Sequence, residues 1–523
     1  MIKEKILSGA TFLGIELGST RIKACLVDED GNPLESGSFE WENAYENGYW
    51  TYSLDLIHKG TGECFGDLVK NVKNTYDIDL TKVGALGISA MMHGYLAFDK
   101  DWNLLTPFRT WRNTTTGKAA EILSKEFSFN IPQRWSIAHL YQAILNGEEH
   151  IKDIKYVTTL AGYIHHLLTG KHEVGVGDAS GIFPVNGIGY DEAMMKKFDS
   201  LIEEYNLGWK LSDILPKVKN AGDEGAFLTE EGAAFLDASG KLASGIPVCP
   251  PEGDAGTGMV ATNAVSPKTG NISAGTSIFS MLVLEKPLSD IYPQIDIVTT
   301  PDGYPVAMVH CNNCAGELDT WVNIFGEALG LFGENVDKST LYEKLYTYAL
   351  SGNTDGIVSY NYLSGEHVTG VSSGKPMYFR MPGVKMNLAS FMKTLLSSSV
   401  ATLAFGMKVL FEKEKVSAEG FTAHGGLFKV KGAAQQILAN ALDTPISVMQ
   451  TAGEGGAWGM ALLSSYMINK NGLSLGDWLG EKIFGELETM TLNPEKNGVE
   501  EYKKFLSAFE DGLCAEYALS EVE

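Results

Sequence analysis

Cysteine is scarce: Cys25, Cys64, Cys249, Cys311, Cys314 and Cys514 are six in 523 residues, and their spacing forms no pairing pattern. A disulfide-built fold is excluded on that count, and with no secretory signal in view the expected setting is a reducing cytoplasm. Long apolar runs are missing as well. Residues 6–15 contain small residues, end at Glu16 and fall far short of the roughly 20 residues a spanning helix needs, so no membrane partner is expected. Basic clusters are absent too, with 41 Lys and Arg against 65 Asp and Glu and a formal charge of −24. Such a chain repels nucleic acid and anionic lipid, yet a small phosphate held by backbone N–H groups needs little positive charge. The CxxC in HCNNC at 310–314 has no second Cys or His pair nearby, which favours buried thiols over zinc.

What is present is an ordinary globular composition, 44% hydrophobic, long enough for two or three cored domains. Two segments resemble each other, LGSTRIKACLV at 17–27 and AGTSIFSMLV at 274–283. Each sets Gly and hydroxyl residues before a β-rich run, and each follows a strand candidate, FLGIE or GNIS, which predicts two hairpins. Such turns are common enough for coincidence to be the alternative to duplication. Paired turns from two domains facing one cleft would grip a polyphosphate with N–H and hydroxyl donors. VGALGISAMM at 83–92 predicts a buried strand and QRWSIAHLYQAILN at 133–146 an amphipathic helix stopped by Gly147. AAQQILANAL at 433–442 predicts another helix and TPISV at 444–448 a strand, and this alternation favours the α/β class. The acidic tail after Asn471 has helical tendency and no assigned role.

Candidate chemistry gathers in a few places. In the first turn Gly18, Ser19 and Thr20 offer phosphate donors, with Lys23 and Glu16 beside them, although Glu and Lys flanking a turn are ordinarily solvated surface. Gly425 and Gly426, and Gly455 and Gly456, lie between strand and helix candidates, where a ring or phosphate can approach the backbone or elements can simply pack closely. Met92, His93 and Gly94 fall at a strand's carboxyl edge, a ligand-binding position in α/β folds and equally a place for a core histidine. Trp111 and Arg112 in TWRN offer an indole and a guanidinium, which surface packing would also explain. CPPEGDAGTG at 249–258 places Glu252 and Asp254 in a stretch too rich in Pro and Gly to be a helix or a central strand.

The ordered set GIELGSTRIK, SAMMHG, TWRN, PPEGDAGTG, NISAGTS, AHGG and GEGGAWGMALL resembles the FGGY carbohydrate kinases, most closely those acting on ketopentoses such as xylulokinases and L-ribulokinases. The resemblance runs from about residue 11 to about residue 465. It implies an α/β fold with two ribonuclease-H-like domains of the actin and hexokinase superfamily flanking a catalytic cleft. The boundaries it implies are an N-terminal domain over 11–262, a C-terminal domain over 263–470 and a helical tail over 471–523. By the same resemblance Asp254 is the general base toward a sugar hydroxyl, and Met92, His93 and Gly94 line the sugar pocket, with Trp111, Arg112 and Trp135 as weaker candidates there. Gly18, Ser19, Thr20, Lys23, Gly275 and Thr276 contact phosphates, and Gly425, Gly426, Gly455 and Gly456 border adenosine. The implied cofactors are ATP and Mg²⁺, the partner is a small sugar, and a homodimer is left open. Glu16 stands where the family usually has Asp, so its contact with magnesium through water carries one extra methylene. The implied reaction is phosphorylation of a ketopentose, D-xylulose-like with a 5-phosphate product, with L-ribulokinase or another sugar or polyol kinase as the alternative. A regulatory ATPase of the same superfamily is a further reading. A glycoside hydrolase using Glu252 and Asp254, roughly 6 to 7 Å apart on an extended segment, is the third and leaves the twin hairpins unexplained.

Overall fold

The computed structural model describes residues 2–449, 455–485, 487 and 489–522. The chain divides into two compact units, the first built from Met1–Ser266, Ile297–Val306 and Gly453–Glu486, the second from Pro267–Asp296, Ala307–Ala452 and Leu487–Glu523.

The first unit carries a seven-stranded mixed sheet in the order Ala226–Phe227, Pro247–Val248, Ala85–Ala90, Thr11–Leu17, Arg21–Asp28 and Pro33–Glu40, with Glu252–Gly253 also paired to Ala85–Ala90. Thr11–Leu17 runs antiparallel to Arg21–Asp28 and parallel to Ala85–Ala90. Except at Glu16 the Thr11–Leu17 strand is buried on both faces, which is why it reads as a continuous apolar run rather than an alternation. The predicted strand at 83–92 forms only over Ala85–Ala90. Beyond it His93 (φ 67°) and Gly94 (φ 82°) turn left-handed, which a ladder cannot accommodate. The predicted helix at 133–146 forms over Ser136–Asn146, burying Ile137, Leu140, Tyr141 and Ile144, and Gly147 closes it at φ 65°.

The second unit carries the other seven-stranded sheet, whose consecutive strands include Pro305–Cys311, Ile278–Val283, Thr269–Ala274, Gly420–His424, Ile446–Met449 and Thr489–Leu492. Thr269–Ala274 pairs antiparallel with Ile278–Val283 and parallel with Gly420–His424, the same pattern as at the centre of the first sheet. The halves therefore share topology as well as a hairpin. The tail forms the helix Lys496–Ser520, which buries Tyr502, Phe505, Phe509 and Leu513 in the second unit. Among the described residues no single helix is long and apolar enough to cross a membrane. Cys311 and Cys314 are buried thiols, pushed above the usual range by that burial, and no group of three His, Cys, Asp or Glu among the described residues is placed to hold a metal ion.

Candidate active site

In the first unit the register aligns Lys23 with Glu16, Glu16 with Ser89, and Ser89 with Glu252. Paired residues project to one face, so the four form a polar row across the sheet. Beyond this row the chain turns through Gly18, Ser19 and Thr20, with the Gly18 N–H donating to the Arg21 carbonyl at 3.1 Å. Three aromatic side chains from elsewhere hold the turn: Trp41 Nε1 donates to the Gly18 carbonyl (2.7 Å), Tyr52 Oη to the Ser19 carbonyl (2.5 Å) and Trp111 Nε1 to Ser19 Oγ (3.2 Å). Carbonyls that would repel an anion are thereby taken up by donors. Burial, and then the charge of Asp254, push the Glu16 carboxyl up to about 7, against the opposing pull of Lys23.

Contrary to the expectation that this stretch forms no helix, Asp254 opens the short helix Asp254–Val260 directly after Gly253, which pairs with Ala90: both prolines lie ahead of the helix, where they remove none of its hydrogen bonds. Its Oδ1 accepts the N–H of Met92 at 3.1 Å and of Ala255 at 3.0 Å, and no hydrogen bond engages Oδ2 among the described residues. Burial raises its pKa, while the N–H donors oppose that rise. His93, next to Met92 in sequence, is buried, with its ring stacked on Trp135 (centroids 6.2 Å apart, 16° between planes) and Nδ1 3.4 Å from the Gly181 carbonyl. Burial holds His93 well below the usual imidazole range, hence neutral. The indole Nε1 of Trp135 is buried without a hydrogen-bond partner among the described residues. At Gly94 a Cβ would sit 2.7 Å from the Arg109 carbonyl, so only glycine passes there. Arg112 donates to Asn43 Oδ1 at 2.9 Å and lies over the Trp50 ring at 4.1 Å. Trp111 and Arg112 are thus tied to the hairpin turn and the loop flanking it.

Sequence reasoning passed over Asp178. It lies in GDASG at 177–181, which repeats the GDA of 253–255 and was the available signal. Glu252, 1% exposed, accepts the N–H groups of Gly177 (3.3 Å) and Asp178 (3.0 Å), and burial with the Asp178 charge pushes it up to about 8. Asp178 is itself pushed up to about 7, chiefly by burial; Thr159 Oγ1 donates to its Oδ2, and its Oδ1 is buried and unpaired among the described residues. The helix Gly455–Asn469 belongs to this unit, and a Cβ at Gly456 would fall 2.3 Å from Glu16 Oε1. Gly455 stands 4.0 Å from Lys23 Nζ by the same measure. Gly455 and Gly456 thus seat a helix against the polar row.

In the second unit the turn at Gly275 and Thr276 borders a cavity of about 750 Å³, which Ala315, Gly316, Asp319, Tyr342, Tyr346, Gly426 and Lys429 also line. Gly425 has φ 108° and a Cβ there would lie 2.2 Å from the Ala274 carbonyl, so this glycine lets its loop close on the hairpin.

Two family models together cover most of the chain: the N-terminal domain of the FGGY family of carbohydrate kinases matches residues 11–261 and its C-terminal domain residues 270–468. The chain belongs to the FGGY carbohydrate kinases. Within that family it is similar to the xylulose kinase of Haemophilus influenzae, 21% identical over 85% of this chain and 89% of the relative. It is also similar to the xylulose kinase of Staphylococcus xylosus, 24% identical over 45% of this chain, a match spanning about half (51%) of that relative's length. Among solved structures, a xyloylose kinase from Brucella ovis superposes with a TM-score of 0.77 over 97% of this chain and 100% of its own at 17% identity. A gluconate kinase from Lactobacillus acidophilus matches with the same TM-score at 17% identity over 98% of each chain. FGGY membership, with its sugar and ATP substrates, favours the kinase reading over a regulatory ATPase or a glycoside hydrolase.

Proposed function

We propose that this FGGY kinase transfers the γ-phosphoryl group of MgATP to a hydroxyl of a ketopentose, D-xylulose, giving the 5-phosphate, with Asp254 as general base. The observation that carries the reading is the setting of Asp254: two backbone N–H groups fix Oδ1 and leave Oδ2 to accept a proton. As the alcohol proton passes to Oδ2, the sugar oxygen forms its bond to phosphorus and the bond to the ADP oxygen breaks. A pKa raised by burial strengthens the carboxylate as a base. Met92, His93 and Gly94 are the sugar-facing segment, with His93 held neutral and the unpaired Trp135 Nε1 available as a donor. Ser19, Thr20 and Lys23 suit phosphate oxygens in the first unit, and the cavity beside Gly275, Thr276 and Gly426 takes the nucleotide in the second.

For magnesium, the fit test is the donor set. Glu16 is one carboxylate raised by burial and by a neighbouring negative charge, conditions a nearby cation relieves, and no three-ligand cage accompanies it among the described residues. That suits an ion carried by the nucleotide with waters of its own, with Glu16 holding it through water. When bound, the ion neutralises charge on the phosphates.

The test is ADP release in a coupled assay with D-xylulose, L-ribulose, D-ribulose and L-xylulose. D-xylulose should give the highest kcat/KM. Turnover indifferent to sugar would refute the reading, and a clear preference for L-ribulose would move the substrate while keeping the chemistry.

A further inference from the structure

The buried carboxylate of Glu366 takes no part in the site described above. It is fully buried, and its Oε2 accepts the N–H of Asn312 (2.8 Å), the N–H of Asn313 (3.2 Å) and Asn313 Nδ2 (3.1 Å). Its Oε1 accepts the Val368 N–H at 3.4 Å and lies 3.7 Å from His367 Nδ1. Burying a carboxylate is costly unless donors compensate, so a chain that keeps one here gains a fixed anchor for the segment that supplies them. Asn313 returns the grip, its Oδ1 accepting the N–H groups of Leu363 (2.9 Å) and Ser364 (3.1 Å).

The next two residues act on the second hairpin. Cys314 N–H donates to the Thr276 carbonyl at 2.9 Å, and Ala315 N–H donates to the Gly275 carbonyl at 3.1 Å. Asn361 Nδ2 holds the Cys314 carbonyl at 2.6 Å. In a trans peptide C=O and N–H point in opposite directions. Fixing the carbonyls of Gly275 and Thr276 toward residues 314 and 315 therefore turns the N–H groups of Thr276 and Ser277 away from them, as an anion-binding turn requires.

We propose that Glu366 is a positioning residue for the nucleotide's phosphates, acting through Asn312, Asn313 and the Cys314–Ala315 backbone on the Gly275–Thr276 turn. The inference rests on the reading that this cavity takes ATP.

The experiment compares Glu366→Gln and Glu366→Asp with the unaltered enzyme. Gln keeps the size but puts an amide NH₂ where both oxygens accept, so KM for ATP should rise by about tenfold or more, with KM for the sugar unchanged; Asp, which keeps the charge, should recover part of the loss. A folded Glu366→Gln variant with unaltered KM for ATP, or one in which both KM values rise together, overturns the proposal. Hydrogen exchange on the unaltered protein covers variants that do not fold. Adding ADP should slow exchange at residues 312–315 as well as at Thr276 and Ser277, and unchanged exchange at 312–315 overturns it equally. Gly275→Val separates the two readings. If it leaves ADP affinity intact, the nucleotide reading fails; if it weakens ADP while Glu366→Gln does not, only the positioning role fails.

Discussion

The N–H of Met92 and Oδ1 of Asp254 meet at 3.1 Å although 162 positions separate them in sequence. This contact ties the segment proposed to face the sugar to the proposed base.

Asp254→Asn keeps the size and leaves an oxygen to accept from Met92 and Ala255, while removing the proton acceptor. Turnover should fall by about 10² or more, with sugar and ATP binding by calorimetry close to the unaltered enzyme. Full activity in this variant would take the base role from Asp254.

At Gly275 an added Cβ meets no atom within 4 Å among the described residues beyond its chain neighbours, unlike Gly456, where it would fall 2.3 Å from Glu16 Oε1. Gly275→Val should therefore fold normally and still weaken ATP by about tenfold, because the new side chain would stand where a phosphate approaches the turn. An unchanged thermal midpoint beside lost ADP affinity is the expected pair of results.

Stability should fall as pH rises above neutrality. Glu16 and Asp178, at about 7, and Glu252, at about 8, are raised by burial, so the folded state holds protons that the unfolded chain has already released. A raised group stabilises below its unfolded pKa and loses that contribution as pH climbs through the folded one. The buried histidines work the other way, His139 and His165 being lowered to about 3, but they are neutral in both states above about pH 7 and drop out of that window. The thermal midpoint should thus decline by at least a few degrees between about pH 7 and about pH 8.5. Glu252→Gln should flatten the decline, and an equal slope in both proteins would count against Glu252 as a contributor.

Much of the architecture was legible beforehand. Both Gly-hydroxyl turns, the helix at Ala433–Leu442 and the strand before His93 follow from turn chemistry and hydrophobic period, which are local properties. Boundaries moved where backbone strain intervened, as at His93 and Gly94. The candidate site was legible only in part. Asp178 carried a visible signal, its GDA repeat, whereas Trp41 and Tyr52 lie in unremarkable text and reach the first turn from 23 and 33 positions away.

The sequence by itself determined two halves, each with a hairpin whose Gly and hydroxyl turn suits phosphate, and a Pro- and Gly-rich loop carrying Asp254. Only the tertiary structure decided which carboxyls are raised and which backbone groups are aimed. Desolvation and hydrogen bonding depend on neighbours brought from far along the chain: Glu252 meets Asp178 across 74 positions, and Glu366 meets Asn312 across 54. No local pattern of residues encodes either distance.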